Sequence, residues 1–171
     1  MENYNTIIIA GTGQNVGKTT LVCNIISENK TKNIYAIKIS PHFHKLTKTD
    51  KIIKQTNDFV IIEETNIDTG KDSAKMLKSG AKKVFYVQCT DEYLAEVFNE
   101  IKKLIPEESN IIIESGGARN IFKPTLFLMI KHADINQIKI KSAKLLSLAD
   151  KIITFDNNTF NFDISSIKLI Q

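Results

Sequence analysis

The chain is poor in the residues that mark several common classes of protein. Its 171 residues include no tryptophan, three prolines and two cysteines. Cys23 and Cys89 stand far apart, with neither the spacing of a metal site nor the number of a disulfide framework. We therefore expect two small, buried hydrophobic side chains at these positions, and no disulfide or zinc scaffold.

Long apolar runs are also missing. No stretch approaches the roughly 20 residues that a helix needs to span a bilayer. The N-terminal stretch MENYNTIIIAG carries neither a basic region nor a cleavage site, so the sequence does not indicate a signal peptide. We expect a cytoplasmic protein that does not enter a membrane.

Arginine is nearly absent, since Arg119 is the one arginine and lysines carry the net charge of +4. A mild basic excess suits a small anionic ligand, but an ordinary solvated lysine surface explains it equally well. The sequence contains no strongly basic helix, no aromatic-studded strand pair and no zinc spacing. It therefore does not indicate nucleic-acid binding.

Short apolar runs alternate with amphipathic stretches along the chain. The runs are rich in Ile and Val and several are apolar at successive positions, as buried parallel strands are. They cover residues 6–11, 33–40, 58–64, 83–89, 110–115, 125–131 and 150–156. Predicted helices cover residues 18–29, 72–79, 92–105 and 141–148. The alternation predicts one domain over residues 1–171 with an α/β fold, a doubly wound, mostly parallel sheet of about seven strands.

Three further segments do not follow this alternation. Residues 41–57 and 63–72 are predicted long loops, which in compact α/β domains usually carry function or disorder. The tail NFDISSIKLIQ, residues 161–171, is predicted as an edge strand.

A glycine-rich loop follows the first predicted strand. In TIIIAGTGQNVGKTTL, residues 6–21, the strand runs directly into the loop and a helix begins at Lys18. This arrangement aims backbone N–H groups and the positive end of a helix dipole at one point, where a phosphate binds. Lys18 is predicted to reach the terminal phosphates of a nucleotide, and the Thr19 hydroxyl to ligate Mg²⁺. The predicted phosphate-binding residues are Gly11, Thr12, Gly13, Gln14, Asn15, Val16, Gly17, Lys18, Thr19 and Thr20.

The loop is longer than the standard phosphate-binding loop of P-loop NTPases. Five residues separate Gly11 from Gly17, where the standard loop has four. The pattern from Gly11 to Thr19 resembles the loop of dethiobiotin synthetases, which also has five. Those enzymes belong to a wider class of P-loop proteins with dimer-forming members, some of which carry an added lysine early in the loop. Here Thr12 and Gly13 occupy the early positions.

A second resemblance begins at DTGKDSAKMLKSGAKKVFYVQC, residues 68–89. The G-K-D-S element, the short helix, the S-G-A and the following strand resemble the molybdopterin-guanine dinucleotide biosynthesis adaptor family. That family also has an Ile-Lys pair at the end of its second strand, followed by histidines; here the pair ends at Lys38, and His42 and His44 follow. The later stretch NIIIESGGARNIFKPTLFLMI, residues 110–130, is similar to the family's acidic residue, glycines and Lys-Pro return.

The resemblances imply different functions. A protein like the adaptor would bind Mg-GTP, hydrolyse it slowly at most, and assist a molybdopterin guanylyltransferase that attaches GMP to molybdopterin. A protein like dethiobiotin synthetase would be an ATP-dependent ligase that phosphorylates a carbamate, with Lys38 helping to hold it. The wider class implies a homodimer. A non-catalytic nucleotide-binding scaffold is a third hypothesis, and the intact Lys18, Thr19 and Glu114 argue against it.

No known motif specifies the base of the nucleotide. A guanine-specific N-K-x-D is absent, and IKHAD at 130–134 lacks the Asn and has one residue too many before the Asp. FDNN at 155–158 follows the last predicted strand and would meet a base through an amide. GTP and ATP therefore remain alternatives, each bound with Mg²⁺.

Polar residues at predicted strand ends extend the candidate site. Glu114 ends an apolar strand, as an acid beside Mg²⁺ or its water does, although an ordinary strand-end carboxylate is the alternative. Lys38 ends the second predicted strand, at the edge where open α/β sheets bind ligands, and either neutralises a phosphate or carboxylate or is simply solvated. Lys71 and Ser73 offer an ammonium and a hydroxyl for a ligand near the start of a predicted helix. The alternative is that Asp72 or Ser73 simply caps that helix.

Four further residues have both a functional and an ordinary explanation. Asp68 is a candidate second acid for the metal, with a turn aspartate as the alternative. His42 and His44 would lie on one side of an extended segment, where they contact a metal, an anion or a partner, or merely form a loop. Arg119 follows S-G-G-A and would reach the nucleotide phosphates. The predicted second site, for an anionic ligand such as a molybdopterin-like molecule or a carboxylate, comprises Lys38, His42, His44, Lys71 and Ser73.

Overall fold

The structure is a computed structural model that describes residues 4–132, 140–156 and 158–170. Within these ranges the strands are β1 (Asn5–Gly11), β2 (Ile34–Ser40), β3 (Lys51–Gln55), β4 (Phe59–Glu63), β5 (Lys83–Cys89), β6 (Asn110–Glu114), β7 (Leu126–His132), β8 (Lys151–Asp156) and β9 (Thr159–Phe160). The α-helices in the same ranges are α1 (Lys18–Glu28), α2 (Asp72–Lys78), α3 (Leu94–Lys102) and α4 (Ile140–Leu146). Asp134 of IKHAD and Asn157 of FDNN lie outside the described residues.

All of these strands belong to one open sheet. Their order across it is β3-β4-β5-β2-β6-β1-β7-β8-β9. The six neighbours from β5 to β8 run parallel. At the edges, β4 is antiparallel to β5, β3 to β4, and β9 to β8. The predicted α/β fold with a mostly parallel sheet is confirmed.

Helices cover both faces of the sheet because its central strands are apolar on both sides. In β1, Ile7 and Ile9 belong to the buried cluster that α1 and α2 cover, here called the α1 face. Ile8 and Ala10 belong to the cluster that α3 and α4 cover, here called the α3 face. Each fully buried Ile contributes about 1.5–3 kcal/mol. Burial on both faces is the reason why the strands are apolar at successive positions in the sequence.

The predicted number of about seven strands is wrong, because nine are present in the described residues. β3 lies inside residues 41–57, which the sequence predicts as a loop. It is an edge strand whose side chains are largely exposed, Ile52 at 42%, and a register shift between Ile52 and Lys54 interrupts its alternation. β9 has two residues, too few for any period to be visible.

The predicted edge strand in the tail is also wrong for the described residues 161–170. These residues contain a 3₁₀ turn at Ile164–Ser166, which the Asp163 side chain caps by accepting from the Ser165 N–H at 3.0 Å. The Asn110 side chain then binds the backbone of Ile170 in both directions, at 2.9 and 3.0 Å. Side-chain hydrogen bonds therefore hold the tail against the α1 face without a strand ladder.

The helices are short, and the longest of those described, α1, has 11 residues. No helix in the described part of the chain is both long enough and apolar enough to cross a membrane.

The two cysteines are free thiols. Cys89 is 1% exposed and Cys23 is half-buried. Burial raises the pKa of Cys89 to about 11 and also raises the pKa of Cys23, so both thiols are protonated at neutral pH. The prediction of a small buried side chain is confirmed for Cys89 and holds in part for Cys23.

Candidate functional site

The loop between β1 and α1 is anchored to the core at two points. The Thr12 N–H donates to the Ile130 carbonyl at 2.9 Å, which ties the loop to β7. Val16 is fully buried on the α1 face. Gln14 and Asn15 between these anchors are exposed. The loop therefore presents its middle to solvent at the carboxyl end of β1.

Two glycines of the loop leave no room for a side chain. A Cβ at Gly11 would lie 2.5 Å from Cγ2 of Val16. Gly17 has a φ of +89°, a left-handed conformation that favours glycine, and a Cβ there would lie 2.7 Å from the Phe155 ring. The end of β8 thus packs directly on the loop at the point where α1 begins.

Lys18 folds back over this loop. Its Nζ donates to the Gly13 carbonyl at 2.6 Å. The first helical hydrogen bond of α1 runs from the Leu21 N–H to the Gly17 carbonyl at 2.9 Å, so the helix starts at Lys18. An ammonium group beside a helix N-terminus creates a positive potential that stabilises a bound anion.

A buried carboxylate links the loop to the neighbouring strand. Glu114, at the end of β6, is 2% exposed. One of its oxygens accepts from the Thr19 hydroxyl at 2.8 Å, and the other accepts from the Lys38 ammonium. Lys38 also pairs with Asp72 Oδ2 at 3.3 Å. These four residues, Thr19, Glu114, Lys38 and Asp72, are called the Glu114 network below.

Strand register explains why the network forms. Lys38 lies directly opposite Glu114 across the β2–β6 pair, and Ile9 lies opposite Glu114 across the β1–β6 pair. All three residues are at the carboxyl ends of parallel strands, where α1 also begins. A buried carboxylate needs a counter-charge and hydrogen bonds, which Lys38 and Thr19 supply.

A strand, a glycine loop, a helix and a buried carboxylate therefore meet at one edge of the sheet. Comparisons with protein-family models, with curated proteins and with solved structures found no match. The functional proposal thus depends on the residues and contacts of this chain, and the resemblances to two families remain predictions.

The donor atoms of the network fit a magnesium ion in part. Mg²⁺ takes hard oxygen ligands and is often held by one or two protein groups together with substrate phosphates and water. The Thr19 hydroxyl and the Glu114 carboxylate are such oxygens. No cluster of three or more His, Cys, Asp and Glu side chains that would hold a metal occurs in the described residues. A magnesium ion here would depend on phosphate oxygens as well as on the protein.

Asp68, the predicted second acid, does not join the network. Its side chain is 78% exposed and pairs with Lys78 at 3.8 Å. Arg119 also lies apart, because its guanidinium packs over Phe127 on the α3 face, at 5.8 Å from the ring centroid. No hydrogen bond or ion pair joins either side chain to the Glu114 network.

A cavity of about 580 Å³ lies beside the network on the α1 face. Four of the five residues predicted for an anionic second site line it, namely Lys38, His44, Lys71 and Ser73. His42 is exposed and is not among the lining residues. The Ser73 hydroxyl is engaged, because it donates to Glu64 Oε2 at 2.7 Å. The predicted residues are thus together, although some already have protein partners.

Sequence reasoning missed Asp72, Lys45, Tyr86 and Gln88 as site residues. The sequence suggests Asp72 as a cap of α2, whereas the structure pairs it with Lys38. Tyr86 lies opposite Lys38 across β2–β5, and Gln88 lies opposite Ser40. Within each strand, the period of two predicts that Tyr86 and Gln88 share one face of the sheet, and that Lys38 and Ser40 do so as well. The order of β5, β2 and β6 was needed to see that they adjoin.

Asp72 gives the stability of the chain a dependence on pH. Burial by itself raises the pKa of Asp72, but the Lys38 ammonium and hydrogen bonds from Lys75 and Lys38 outweigh it and hold the pKa below its usual value. Such a carboxyl stabilises the fold above its unfolded pKa of about 3.9, and the contribution is lost as pH falls through the lower folded value. Because Asp72 is 40% exposed and screened by solvent, we expect a contribution of about 0.5 kcal/mol.

Urea unfolding of the wild type and of Asp72→Asn measures this contribution. We expect the wild type to be the more stable by that amount at pH 7, and the difference to narrow at pH 3. Asp68→Asn removes an exposed carboxylate from the same region and should show no difference at either pH. A difference for Asp72→Asn that is unchanged at pH 3 would contradict the assignment.

Proposed function

We propose that the chain is a P-loop protein that binds a nucleoside triphosphate together with Mg²⁺. The observation that carries the proposal is the hydrogen bond between Thr19, in the first turn of α1, and the buried carboxylate of Glu114. A hydroxyl at the start of the helix and an acid at the end of the adjacent strand are the two groups that flank magnesium in P-loop proteins.

Each part of the site then has a defined task. The backbone N–H groups of residues 13–19 and the N-terminus of α1 receive the phosphates, and the Lys18 ammonium neutralises the terminal ones. Thr19 and Glu114 hold the magnesium ion, directly or through water. Lys38 compensates the charge of Glu114 when no metal is bound. A magnesium ion held by Thr19 and Glu114 would neutralise negative charge on the phosphates.

The first candidate function is that of an adaptor similar to those of molybdopterin-guanine dinucleotide biosynthesis. It would bind GTP or ATP, turn it over slowly at most, act as a homodimer and assist a molybdopterin guanylyltransferase. Support comes from the G-K-D-S element, because Gly70, Lys71, Asp72 and Ser73 all line the cavity beside the network. This is the element that carries the resemblance to the adaptor family.

The second candidate is an ATP-dependent ligase similar to dethiobiotin synthetase. Its support is the position of Lys38, which touches Glu114 on one side and lines the cavity on the other. A carbamate or carboxylate in the cavity would lie next to the nucleotide. A scaffold without turnover is the third candidate, and the Thr19–Glu114 contact weighs against it.

A nucleotide panel tests the proposal. Thermal unfolding is measured with GTP, ATP, GDP and ADP, each with Mg²⁺ and with a chelator. A ligand at a hundredfold excess over its Kd stabilises the fold by about 2.7 kcal/mol, so the preferred nucleotide is identified by its shift. No stabilisation by any nucleotide would refute the proposal. ADP formation that requires diaminopelargonate and bicarbonate would favour the ligase over the adaptor.

Glu114→Gln separates the metal role of the carboxylate from a structural one. Glutamine keeps the size and the acceptor for Thr19 but removes the charge. We expect the affinity for Mg-nucleotide to fall about tenfold, and the affinity measured with a chelator to change little. Because Lys38 keeps Asp72 as a partner, the loss of stability should be only about 1–2 kcal/mol.

Glu63→Gln is the matched control for this variant. Glu63 is also a strand-end glutamate, 14% exposed and paired with Lys51 and Lys83. It lies opposite Phe85, near the amino end of β5, whereas Glu114 lies at the carboxyl ends of the parallel strands. Calorimetric titration of both variants with and without Mg²⁺ decides between the roles. An equal loss of affinity with and without metal would argue against Glu114 as a magnesium residue.

A further inference from the structure

We propose that the cavity beside Lys38 binds a small hydrophilic molecule that carries a phosphate or a carboxylate group. That this molecule is a second ligand beside the nucleotide rests on the proposed function. That the cavity binds an anion is argued separately, from the residues that line it. The floor of the cavity is the α1 face of β2, β4 and β5. Its walls come from His44, Lys45, Thr47 and Asp50 in the first predicted loop, and from residues 70–73, where the second predicted loop ends and α2 begins.

The residues that line the cavity carry one more positive than negative charge, although Lys38 also pairs with Glu114, which does not line it. Lys38, Lys45 and Lys71 contribute three ammonium groups, and Asp50 and Asp72 contribute two carboxylates. Both carboxylates already have protein partners. Asp72 pairs with Lys38 at 3.3 Å, and Asp50 accepts from the Thr47 N–H at 2.7 Å and pairs with Lys71 at 3.7 Å. They are therefore not available to attract a cation.

Lys45 supplies the uncompensated charge. It lines the cavity, its side chain is exposed, and it forms no ion pair with any described residue. An ammonium group without a counter-ion at the mouth of a polar cavity attracts an anion, and a charge-assisted hydrogen bond to phosphate or carboxylate satisfies it.

Gln88 supplies a neutral donor deeper in the cavity. It is 2% exposed, and its side-chain oxygen accepts from the His44 N–H at 2.8 Å. Because a backbone N–H donates to this amide, the oxygen must face His44 and the nitrogen must point the other way. The described residues provide no hydrogen-bond partner for that nitrogen. The nitrogen is not sealed from solvent, so it can donate to a ligand oxygen in the cavity.

The remaining lining sets the chemical class of the ligand. Ser40, Thr47 and Tyr86 contribute hydroxyl groups, and burial raises the pKa of Tyr86, so its hydroxyl stays protonated and can donate. Ile62 is the one large aliphatic side chain among the residues that line the cavity. The Ser40 hydroxyl already donates to the His42 carbonyl at 3.2 Å, and the Thr47 hydroxyl contacts that of Thr49 at 3.0 Å. A small polar anion would pair with the Tyr86 hydroxyl and the Gln88 nitrogen, which a mainly apolar molecule would not. The volume lies within the usual range for small-molecule sites.

Backbone amide resonances of the full chain test the proposal in solution. The ¹⁵N-labelled protein is titrated with sodium sulfate, as a phosphate analogue, and separately with sodium malonate, at constant ionic strength. We expect saturable shifts at Lys45, Thr47 and Gly70 with at least one of the two anions. Shifts at Gly13 and Gly17 report independently on the loop, so failure of the cavity and failure of the proposed phosphate site are distinguishable.

Two variants that each remove one positive charge test whether the resonance shifts come from anion binding in the cavity. Lys45→Gln should raise the apparent Kd at the cavity resonances about fivefold, the effect of one exposed charge-assisted contact. Lys48→Gln removes an exposed lysine three residues away that does not line the cavity, and should leave the Kd unchanged. Gln88→Glu keeps the acceptor for His44 but adds a negative charge, and should abolish binding.

Three results would overturn the proposal. The first is saturable shifts at the loop resonances alone, with both anions. The second is cavity shifts that increase linearly without saturation. The third is the same change of Kd in Lys45→Gln and Lys48→Gln. If Gln88→Glu fails to fold, the pair of lysine variants still decides.

Discussion

Gly17→Ala is expected to lower the free energy of unfolding by about 3 kcal/mol. Two costs add at this position. An L-residue at φ of +89° costs about 1–2 kcal/mol in the left-handed region. The new methyl group would also lie within 2.9 Å of three atoms of the Phe155 ring, and such overpacking typically costs about 1–3 kcal/mol.

Gly70→Ala separates these two costs. Gly70 also has a positive φ, +72°, but no atom lies within 4 Å of a Cβ built there. We expect it to lose only the conformational term, about 1–2 kcal/mol. Equal losses for Gly17→Ala and Gly70→Ala in urea unfolding would show that Phe155 does not restrict the loop.

A double-mutant cycle measures the contact itself. In a Phe155→Ala background the ring is absent, so Gly17→Ala should cost about 1–2 kcal/mol less than in the wild type. A cycle without such coupling would mean that β8 can move away from the loop at little cost.

Lys18→Ala is expected to weaken binding of a Mg-nucleoside triphosphate about a hundredfold, with the fold intact. Lys18 would make a charge-assisted contact with the terminal phosphates, and such a contact contributes about 1.5–3 kcal/mol. Loss of about 2.7 kcal/mol corresponds to a hundredfold increase in Kd. The predicted loss exceeds that of Glu114→Gln, because the proposed function has the lysine contact the nucleotide directly.

Lys30→Ala is the control for this change in charge. Lys30 is exposed and follows the other end of α1. Calorimetric titration of both variants with the preferred nucleotide is the measurement, and unfolding without nucleotide checks the fold. Unchanged triphosphate affinity in a folded Lys18→Ala protein would refute the phosphate-binding loop, as would an equal loss in both variants.

The central strands could be predicted from sequence because each is buried on both faces. In β6, for example, residues 111–113 are apolar at successive positions, and the strand then ends at the charged Glu114. β3 could not be predicted, because an edge strand with exposed side chains carries no burial pattern. In the tail, Ile167 and Leu169 alternate with Lys168 as in a strand, but with Ile164 they pack on the α1 face around a 3₁₀ turn.

The candidate site was predictable where its residues end strands or begin a helix. Lys18, Thr19, Lys38 and Glu114 all do so, and the sequence named each of them. The pairing of Lys38 with Asp72 was not predictable, because it depends on where α2 lies relative to β2. The cavity residues on β5 depended on a strand order that no local pattern encodes.

The Glu114 carboxylate has a thermodynamic consequence for any two ligands that meet here. Its two oxygens contact different partners, Thr19 at the start of α1 and Lys38 beside the cavity. A cation that binds Glu114 would compete with the Lys38 ammonium for this carboxylate. Lys38 would then pair with Asp72 and with an anion in the cavity. Heterotropic coupling is reciprocal, so an anion in the cavity must strengthen binding of that cation by the same factor. Positive cooperativity between nucleotide and second ligand would therefore need no movement of the backbone, only the transfer of one ammonium group between two carboxylates.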